Sequence, residues 1–176
     1  MDQDKKDKQK KKFQLRKMLS ELGKYRARHT ELISVYVPAG YQIQNILNQI
    51  ADEAGTARNI KSSGTRKNVT TALERMIQHL RQYKKTPENG MAIFAGNISE
   101  REGQMDMRDW SIEPPEPLNV KIYRCDQTFF LEPLKEQMEV TVTYGLVVMD
   151  RREASVALLK GKTIVPVWSD NSFVPG

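Results

Sequence analysis

Two amphipathic segments separated by a short basic loop constrain the fold of this chain more than any other feature of its sequence. In the first, YQIQNILNQIADEAG, apolar residues recur at helical spacing and form one stripe, and the second repeats that spacing from Val69 to Tyr83. The loop GTARNIKSSGTRK, residues 55–67, lies between them, and Gly55 is placed to end the first helix in the left-handed conformation. The sequence therefore predicts an antiparallel helical hairpin with a polar, cationic tip.

The segments around the hairpin predict a small antiparallel sheet. A buried strand is predicted at ELISVYV, and strand-like pieces recur at GMAIFAGN, QMDMRDW and PLNVKIYRC. Helical spacing over Phe13–Leu22, ended by Gly23, predicts one further helix, and TFFLEPLKEQM predicts a short helix or turn. The fold class that follows is α+β, a mainly antiparallel sheet packed with helices, two of which project as a hairpin.

Three parts of the chain differ in composition. Residues 1–12 hold six Lys and three Asp, and we expect a charged N-terminal extension, either a solvated helix start or a frayed segment. Residues 13–140 hold the α+β domain. Residues 141–176 hold three strand-like pieces and no helix to cover them. We expect them to open a second domain that packs on the first, packs on a neighbouring chain or is mobile.

The charge balance and the cysteine count limit the classes of function. Lys and Arg number 28 against 22 acidic residues, a net charge of +6, which favours a polyanionic partner. Cys125 is the only cysteine, so an internal disulfide is excluded, and with two histidines neither a zinc site nor another cofactor is expected. No apolar run approaches the ~20 residues that cross a bilayer. We therefore expect a protein of the reducing cytoplasm without membrane contact.

Three short motifs lie in and around these elements. Residues 59–62 have the sequence Asn-Ile-Lys-Ser at the hairpin tip, Tyr123, Cys125 and Phe129 form a Tyr-x-Cys-x-x-x-Phe pattern, and HTELISVYVPA contains the first strand. With these motifs the chain resembles, over essentially its whole length, the archaeal and eukaryotic class 1 peptide chain release factors, whose N-terminal domain recognises stop codons. The resemblance implies that residues 141–176 are the first strands of that family's middle domain, in truncated form.

The resemblance has two departures from the family pattern. Thr30 is retained from a Gly-Thr-Ser loop, but His29 and Glu31 replace its Gly and Ser. The Gly-Gly-Gln tripeptide that promotes peptide release in the family does not occur in the 176 residues. The resemblance thus implies a codon-recognition domain that is not itself an enzyme and has no catalytic residues. The implied partners are mRNA, the RNA of the small ribosomal subunit and, for the complete factor, a translational GTPase.

The resemblance implies that Asn59, Ile60, Lys61 and Ser62 contact the codon. Single-stranded RNA is recognised from base edges and by stacking. Every stop codon begins with uridine, whose O4 accepts a hydrogen bond where cytosine presents an N4 amine, so the donor Lys61 favours uridine. Asn59 can donate and accept, and Ser62 can bond the backbone or a 2′-hydroxyl.

A structural interpretation of the same loop is a solvated turn in which Ser62, Ser63 or Thr65 caps the helix that follows. Capping and recognition are compatible, because a capped helix holds the loop rigid enough to aim a side chain.

Glu53 precedes the loop, and we expect it in the last turn of the first hairpin helix, where the helix dipole disfavours a carboxylate. The resemblance implies that it accepts hydrogen bonds from purine amino groups at the second or third codon position. The alternative is an exposed carboxylate that pairs with Arg58.

Tyr123 and Cys125 share one face of a predicted strand, and Phe129 can fold back toward them. An aromatic pair beside a small thiol would form a stacking wall for bases, and ordinary core packing is the alternative.

The remaining predicted contacts are with the third base and with phosphates. The resemblance implies that Thr30 and Glu31 act at the third base. The cations Arg58, Arg66 and Lys67 suit phosphates of message or ribosomal RNA, and supply affinity rather than codon choice.

Two other classes of function compete with this interpretation. An enzyme could use Cys125 as a nucleophile with His29 or His79 as base, but no oxyanion motif accompanies them. A ribosome-rescue or general RNA-binding module shares the charge and the hairpin, but gives no reason for the motifs to occur together.

Overall fold

The structure is a computed structural model, and it describes residues 2–101, 103–138, 143–160 and 163–171. Two compact units divide the chain, Met1–Met138 and Glu139–Gly176. The predicted domain boundary at residues 140–141 lies outside the described residues. Among the described residues, no helix is both long enough and apolar enough for a membrane span.

The first unit alternates helices with short strands. In chain order its described elements are α1 (Asp2–Leu22), β1 (Leu32–Val37), α2 (Ile43–Ala57), α3 (Ser63–Leu80), β2 (Met91–Asn97), β3 (Met107–Ile112), β4 (Ile122–Asp126) and α4 (Glu132–Glu136). The strands form one sheet in the order β3-β2-β1-β4, and each neighbouring pair is antiparallel. The predicted α+β class is confirmed.

Each face of this sheet is covered by its own hydrophobic core, because β1 and β2 are apolar on both faces. On one face Ile33 and Val35 of β1 pack with the buried stripes of α2 and α3, which we call the hairpin core. On the other face Tyr36 and Phe94 pack with buried leucines of α1 and α4, which we call the opposite core. The predicted helical hairpin therefore lies against one side of the sheet.

Helix α2 corrects the prediction made for Gly55. The helix continues two residues further to Ala57, and the backbone N–H groups of its C-terminal residues bond back to carbonyls within it. Gly55 does not have positive φ, and a Cβ added to it would meet no atom within 4 Å, so it is an ordinary helical residue that has no need to be glycine. Glu53 consequently lies one turn before the helix end, and the prediction of a last-turn position is wrong.

Helix α1 and strands β3 and β4 also differ from their predicted bounds. Helix α1 begins at Asp2 rather than Phe13, so the charged extension takes the form of a solvated helix start, one of its two expected forms, and residues 6–10 are exposed. Lys11 forms a 3.0 Å ion pair with Glu113. Strand β3 begins at Met107, where its pairing with Asn97 of β2 starts, and β4 begins at Ile122, where its pairing with Tyr36 of β1 starts.

The second unit contains the three predicted strands in an antiparallel sheet. They are β5 (Thr143–Met149), β6 (Glu153–Lys160) and β7 (Thr163–Asn171), in the order β5-β6-β7. No side chain that the structure describes in this unit is fully buried, and Val148, Met149 and Trp168 are exposed. The described residues of this unit thus form a sheet without a closed core of their own.

Candidate nucleic-acid interface

The loop at the hairpin tip is braced at three points. The Oγ of Ser62 accepts a hydrogen bond from the backbone N–H of Thr65 at 3.3 Å, which makes Ser62 the N-cap of α3, as the structural interpretation predicted. The guanidinium of Arg66 donates to the carbonyl of Ile60 at 2.9 Å, and the Ile60 side chain packs half-buried against the hairpin core. The short loop is therefore held by backbone and side-chain contacts at both of its ends.

The other polar side chains of the tip are exposed, namely those of Arg58, Asn59 and Lys61. In the part of the chain that the structure describes, neither the Asn59 amide nor the Lys61 ammonium makes a hydrogen bond or ion pair with the protein. These two groups keep their donors available for a ligand.

Strand β4 presents its predicted pair of side chains toward the hairpin. Cys125 lies opposite Ile33 and Tyr123 opposite Val35 in the register of β4 with β1, and all four belong to the face covered by the hairpin core. Because β4 is the edge strand of the sheet, Tyr123 and Cys125 are only half-buried. These two side chains, which we call the β4 wall, therefore lie on the same side of the sheet as the hairpin.

Electrostatic effects on Tyr123 and Cys125 show which acidic groups are near them. Burial, followed by the charges of Asp126, Glu31 and Glu53, raises the pKa of the Cys125 thiol to about 11. Burial raises the pKa of Tyr123 as well, with smaller contributions from Cys125 and Glu53. Both side chains are therefore neutral near pH 7, and the Glu53 carboxylate faces the β4 wall.

Glu53 does not have the partner proposed for it in the alternative interpretation. The described residues show no ion pair between Glu53 and Arg58, and Glu53 is half-buried. Glu53 lies beside the neutral phenol of Tyr123 and the neutral thiol of Cys125. Its carboxylate is therefore available as a hydrogen-bond acceptor at the edge of the hairpin.

The loop that precedes β1 is hydrogen-bonded to strand β4 and to helix α3. The Cys125 thiol donates to the carbonyl of Thr30 at 3.1 Å, and Nδ2 of Asn68 donates to Oε2 of Glu31 at 2.7 Å. Glu31 is only 7% exposed, whereas the Thr30 side chain is exposed. Sequence analysis missed Asn68. Its place on α3 between Thr65 and Ala72, both buried, could have indicated that this polar side chain has a partner within the protein.

A groove of about 410 Å³ opens between this loop, the start of α3 and the β2–β3 loop. Glu31 and Ser62, both predicted codon contacts, lie on its walls, and Lys67, Asn68 and Arg101 also face it. Sequence analysis assigned no role to residues 98–103, the segment between the predicted strands GMAIFAGN and QMDMRDW.

Phe129 lies on the other side of the sheet from Tyr123 and Cys125. It is 5% exposed in the opposite core, where its ring meets those of Phe94 and Trp110 edge-on, each at 5.6 Å. The prediction that Phe129 folds back to form a wall with the other two is wrong. After β4 the chain passes to the face of the sheet that bears the opposite core, and Phe129 packs in that core as an ordinary apolar residue.

The three cations predicted to meet phosphates differ in their surroundings. Arg58 and Lys67 are exposed, whereas Arg66 is half-buried and supports the Ile60 carbonyl. Their contact with RNA stays a prediction.

The cysteine environment does not favour a nucleophile. A thiol with a pKa of about 11 carries little thiolate at neutral pH, and its hydrogen bond goes to the Thr30 carbonyl. His79 instead contacts Ser111, with Nε2 and Oγ 2.6 Å apart. Among the described residues, no cluster of three or more His, Cys, Asp or Glu side chains could hold a metal ion.

Known proteins resemble this chain in sequence and in fold. The family model for eRF1 domain 1 matches residues 10–139. Peptide chain release factor subunit 1 of Thermococcus kodakarensis is 54% identical over 164 residues, and that of Methanopyrus kandleri 44% identical over 164 residues. A crystal structure of the archaeal translation termination factor aRF1 superposes with a TM-score of 0.67 at 31% identity, over 93% of this chain and 45% of that one.

The alignment covers 93% of this chain but only 40% of either relative, so the chain spans about two fifths of their length. The family match covers all of the β3-β2-β1-β4 sheet and the hairpin that carries the exposed tip. This chain belongs to the eRF1 domain 1 family.

Proposed function

We propose that this domain recognises the stop codon of a message in the decoding site of the small ribosomal subunit. One observation carries the proposal: the hairpin and β4 place an exposed donor tip, a carboxylate and a neutral aromatic wall on one side of the sheet. Single-stranded RNA is recognised by such a combination of directed hydrogen bonds and stacking surfaces.

The first codon position is assigned to the tip. Lys61 donates to uridine O4, and a cytosine at that position would present its amine to the ammonium, which has no acceptor. Asn59 adds a second donor and an acceptor. Ile60 and Ser62 anchor these two side chains, since Ile60 is packed in the hairpin core and Ser62 caps α3.

The purine positions are assigned to the wall. Glu53 accepts from purine amino groups, and the Tyr123 ring offers a stacking surface beside the small Cys125 thiol. Thr30 and Glu31 act at the third base, and Glu31 uses the oxygen that Asn68 does not occupy. Phe129 stabilises the sheet from the opposite core and contacts no base.

The proposed partners beyond the codon are anionic or belong to the whole factor. Arg58 and Lys67 meet phosphates of message or ribosomal RNA, and Arg66 does so with the N–H groups that Ile60 leaves unused. The relatives are named release factors, so we propose that the complete protein terminates translation in the cytoplasm with a translational GTPase. Peptide release itself is proposed to need the Gly-Gly-Gln region and the ribosome.

The test compares codons that differ only in their first base. Binding of the chain, wild type and Lys61→Ala, is measured on archaeal small subunits programmed with UAA or CAA. The wild type should prefer UAA, and Lys61→Ala should reduce that preference by roughly tenfold, the value of about one charge-assisted hydrogen bond.

Lys84→Ala is the matched control, because Lys84 is an exposed lysine beyond the far end of α3. It should leave the preference unchanged. Equal wild-type binding to UAA and CAA would contradict the proposal and favour a ribosome-rescue or general RNA-binding module.

A further inference from the structure

Helix α1 has one side in the opposite core and the other side in solvent. Leu15 and Leu22 are fully buried in that core. Two residues turn the direction of a helical side chain by about 200°, so Phe13 and Lys17, each two positions from Leu15, face away from the core. Phe13 is 68% exposed, and Lys17 is exposed as well. The outward side of α1 is therefore accessible to a partner.

Three cations accompany Phe13 on this side of the helix. Arg16 and Lys17 lie about one turn after Phe13, and Lys24 follows in the turn that ends the helix. All three are exposed and line one surface with Phe13, and we call these four residues the α1 patch. Across the described ranges of the chain, none of the three charged groups has an ion pair or a hydrogen bond. Their donors are therefore available to a partner.

One acid lies within the patch, and it already has a partner. Glu21 is the one acidic residue between Phe13 and Lys24 in the sequence. Its carboxylate accepts a hydrogen bond from Nε1 of Trp110 at 3.1 Å. The patch therefore presents three cations and one apolar ring to a partner.

The α1 patch and the hairpin tip lie on opposite sides of the sheet. The inner side of α1 packs in the opposite core, whereas the hairpin packs in the core on the other face. The four-stranded sheet of the first unit separates the two helical layers. A codon held at the tip therefore does not contact the patch, and the patch needs a second partner.

The chemistry of the patch favours RNA over protein as that partner. The centre of a protein–protein interface is depleted of charged residues, whereas three of the four patch residues are cations. Interfaces with nucleic acids are more positively charged than those between proteins. Cations there meet phosphates, and exposed aromatic rings stack on unpaired bases. One ring among three cations fits that pattern.

We propose that the α1 patch binds RNA of the small ribosomal subunit, on the side of the domain that faces away from the codon. The inference rests on the proposed function, since it takes the subunit from it. Arg16, Lys17 and Lys24 meet phosphates, and the ring of Phe13 stacks on an unpaired base. This contact adds affinity and no choice of codon, because phosphates carry no base identity.

Photo-crosslinking from position 13 identifies the partner. The chain carrying Phe13→p-azidophenylalanine is bound to archaeal small subunits programmed with UAA and irradiated. The side chain is exposed, so this substitution should leave the fold intact. We expect a crosslink to ribosomal RNA that an excess of the wild-type chain abolishes. Crosslinks confined to protein or to the message, or no crosslink, would overturn the inference.

Binding measurements test the cations. The double variant Lys17→Gln/Lys24→Gln should bind subunits programmed with UAA or CAA roughly tenfold more weakly than wild type, by the same factor for both codons. The slope of log affinity against log salt should fall in magnitude by about 1.4–1.8, the loss of two phosphate contacts. An unchanged slope would overturn the inference.

Phe13→Ala removes the ring and no charge. It should weaken binding to both codons roughly fivefold and leave the salt slope at its wild-type value, because stacking releases no counterions. Wild-type affinity in this variant would contradict the stacking role of Phe13.

The matched control is Lys84→Gln/Lys85→Gln, which removes two exposed lysines beyond the far end of α3. It should change neither the affinity nor the slope. If the patch variants are silent while UAA is still preferred over CAA, the inference fails and the proposed function stands. If that preference is absent while the patch variants still weaken binding, the patch stands and the codon assignment fails.

Discussion

At the scale of single residues, position in the fold separates side chains that belong to one sequence motif. Tyr123 and Cys125 are half-buried beside the hairpin, whereas Phe129 is buried in the opposite core. The pairing of Tyr123 with Cys125 was predictable, because residues two apart on a strand share a face. The location of Phe129 was not, because it depends on the path of the chain after β4, which local periodicity does not encode.

The environment of Cys125 predicts a slow reaction with iodoacetamide. Folding raises the thiol pKa from 9.0 to about 11, so at pH 8 the folded chain should react roughly a hundredfold more slowly than the urea-unfolded chain. The associated stabilisation is present below pH 9 and is lost as the pH rises from there through 11, because the unfolded thiol ionises first. The measurement is the alkylation rate between pH 7 and 11. Equal rates at pH 8 would contradict the raised thiol pKa, and a faster reaction of the folded chain would indicate an activated thiol.

At the scale of elements, the two hairpin helices were predicted more accurately than the start of α1 or the ends of the strands. The stripes of α2 and α3 and the Ser62 cap follow from spacing and side-chain chemistry within a few residues. The bounds of β3 and β4 depend on which neighbour supplies hydrogen bonds, and that information is not local. Of the candidate site, the exposed tip could be predicted, but the Asn68 bond to Glu31 and the groove formed by the β2–β3 loop could not, since they join distant segments.

The two cores differ in what their mutation should change. Phe129→Ala removes a ring that contacts Phe94 and Trp110, so it should lower the free energy of unfolding of the first unit by about 3–5 kcal/mol. Tyr123→Ala, at the half-buried edge, should cost less stability and should weaken binding to UAA-programmed subunits.

Two measurements separate the effect on stability from the effect on binding. Chemical denaturation gives the free energy of unfolding, and subunit binding is measured at a temperature where both variants are folded. Folded Phe129→Ala should keep the wild-type preference for UAA over CAA. Loss of that preference in the folded variant would indicate that Phe129 contributes to codon recognition.

At the scale of the whole molecule, the first unit contains every residue assigned to the codon. The tip, the β4 wall and the Thr30–Glu31 loop all lie within Met1–Met138, and the eRF1 domain 1 match ends at residue 139. The second unit contributes a sheet without a closed core among its described residues. We therefore propose that codon recognition belongs to this one compact unit.

Photo-crosslinking from the first codon base tests this assignment most directly. A message with 4-thiouridine at the first position of UAA is bound to archaeal small subunits with the chain, irradiated, and the crosslinked peptide is identified by mass spectrometry. The account predicts a crosslink within residues 59–62 at the hairpin tip. A crosslink confined to α1 or to strands β5–β7, with none at the tip, would contradict it.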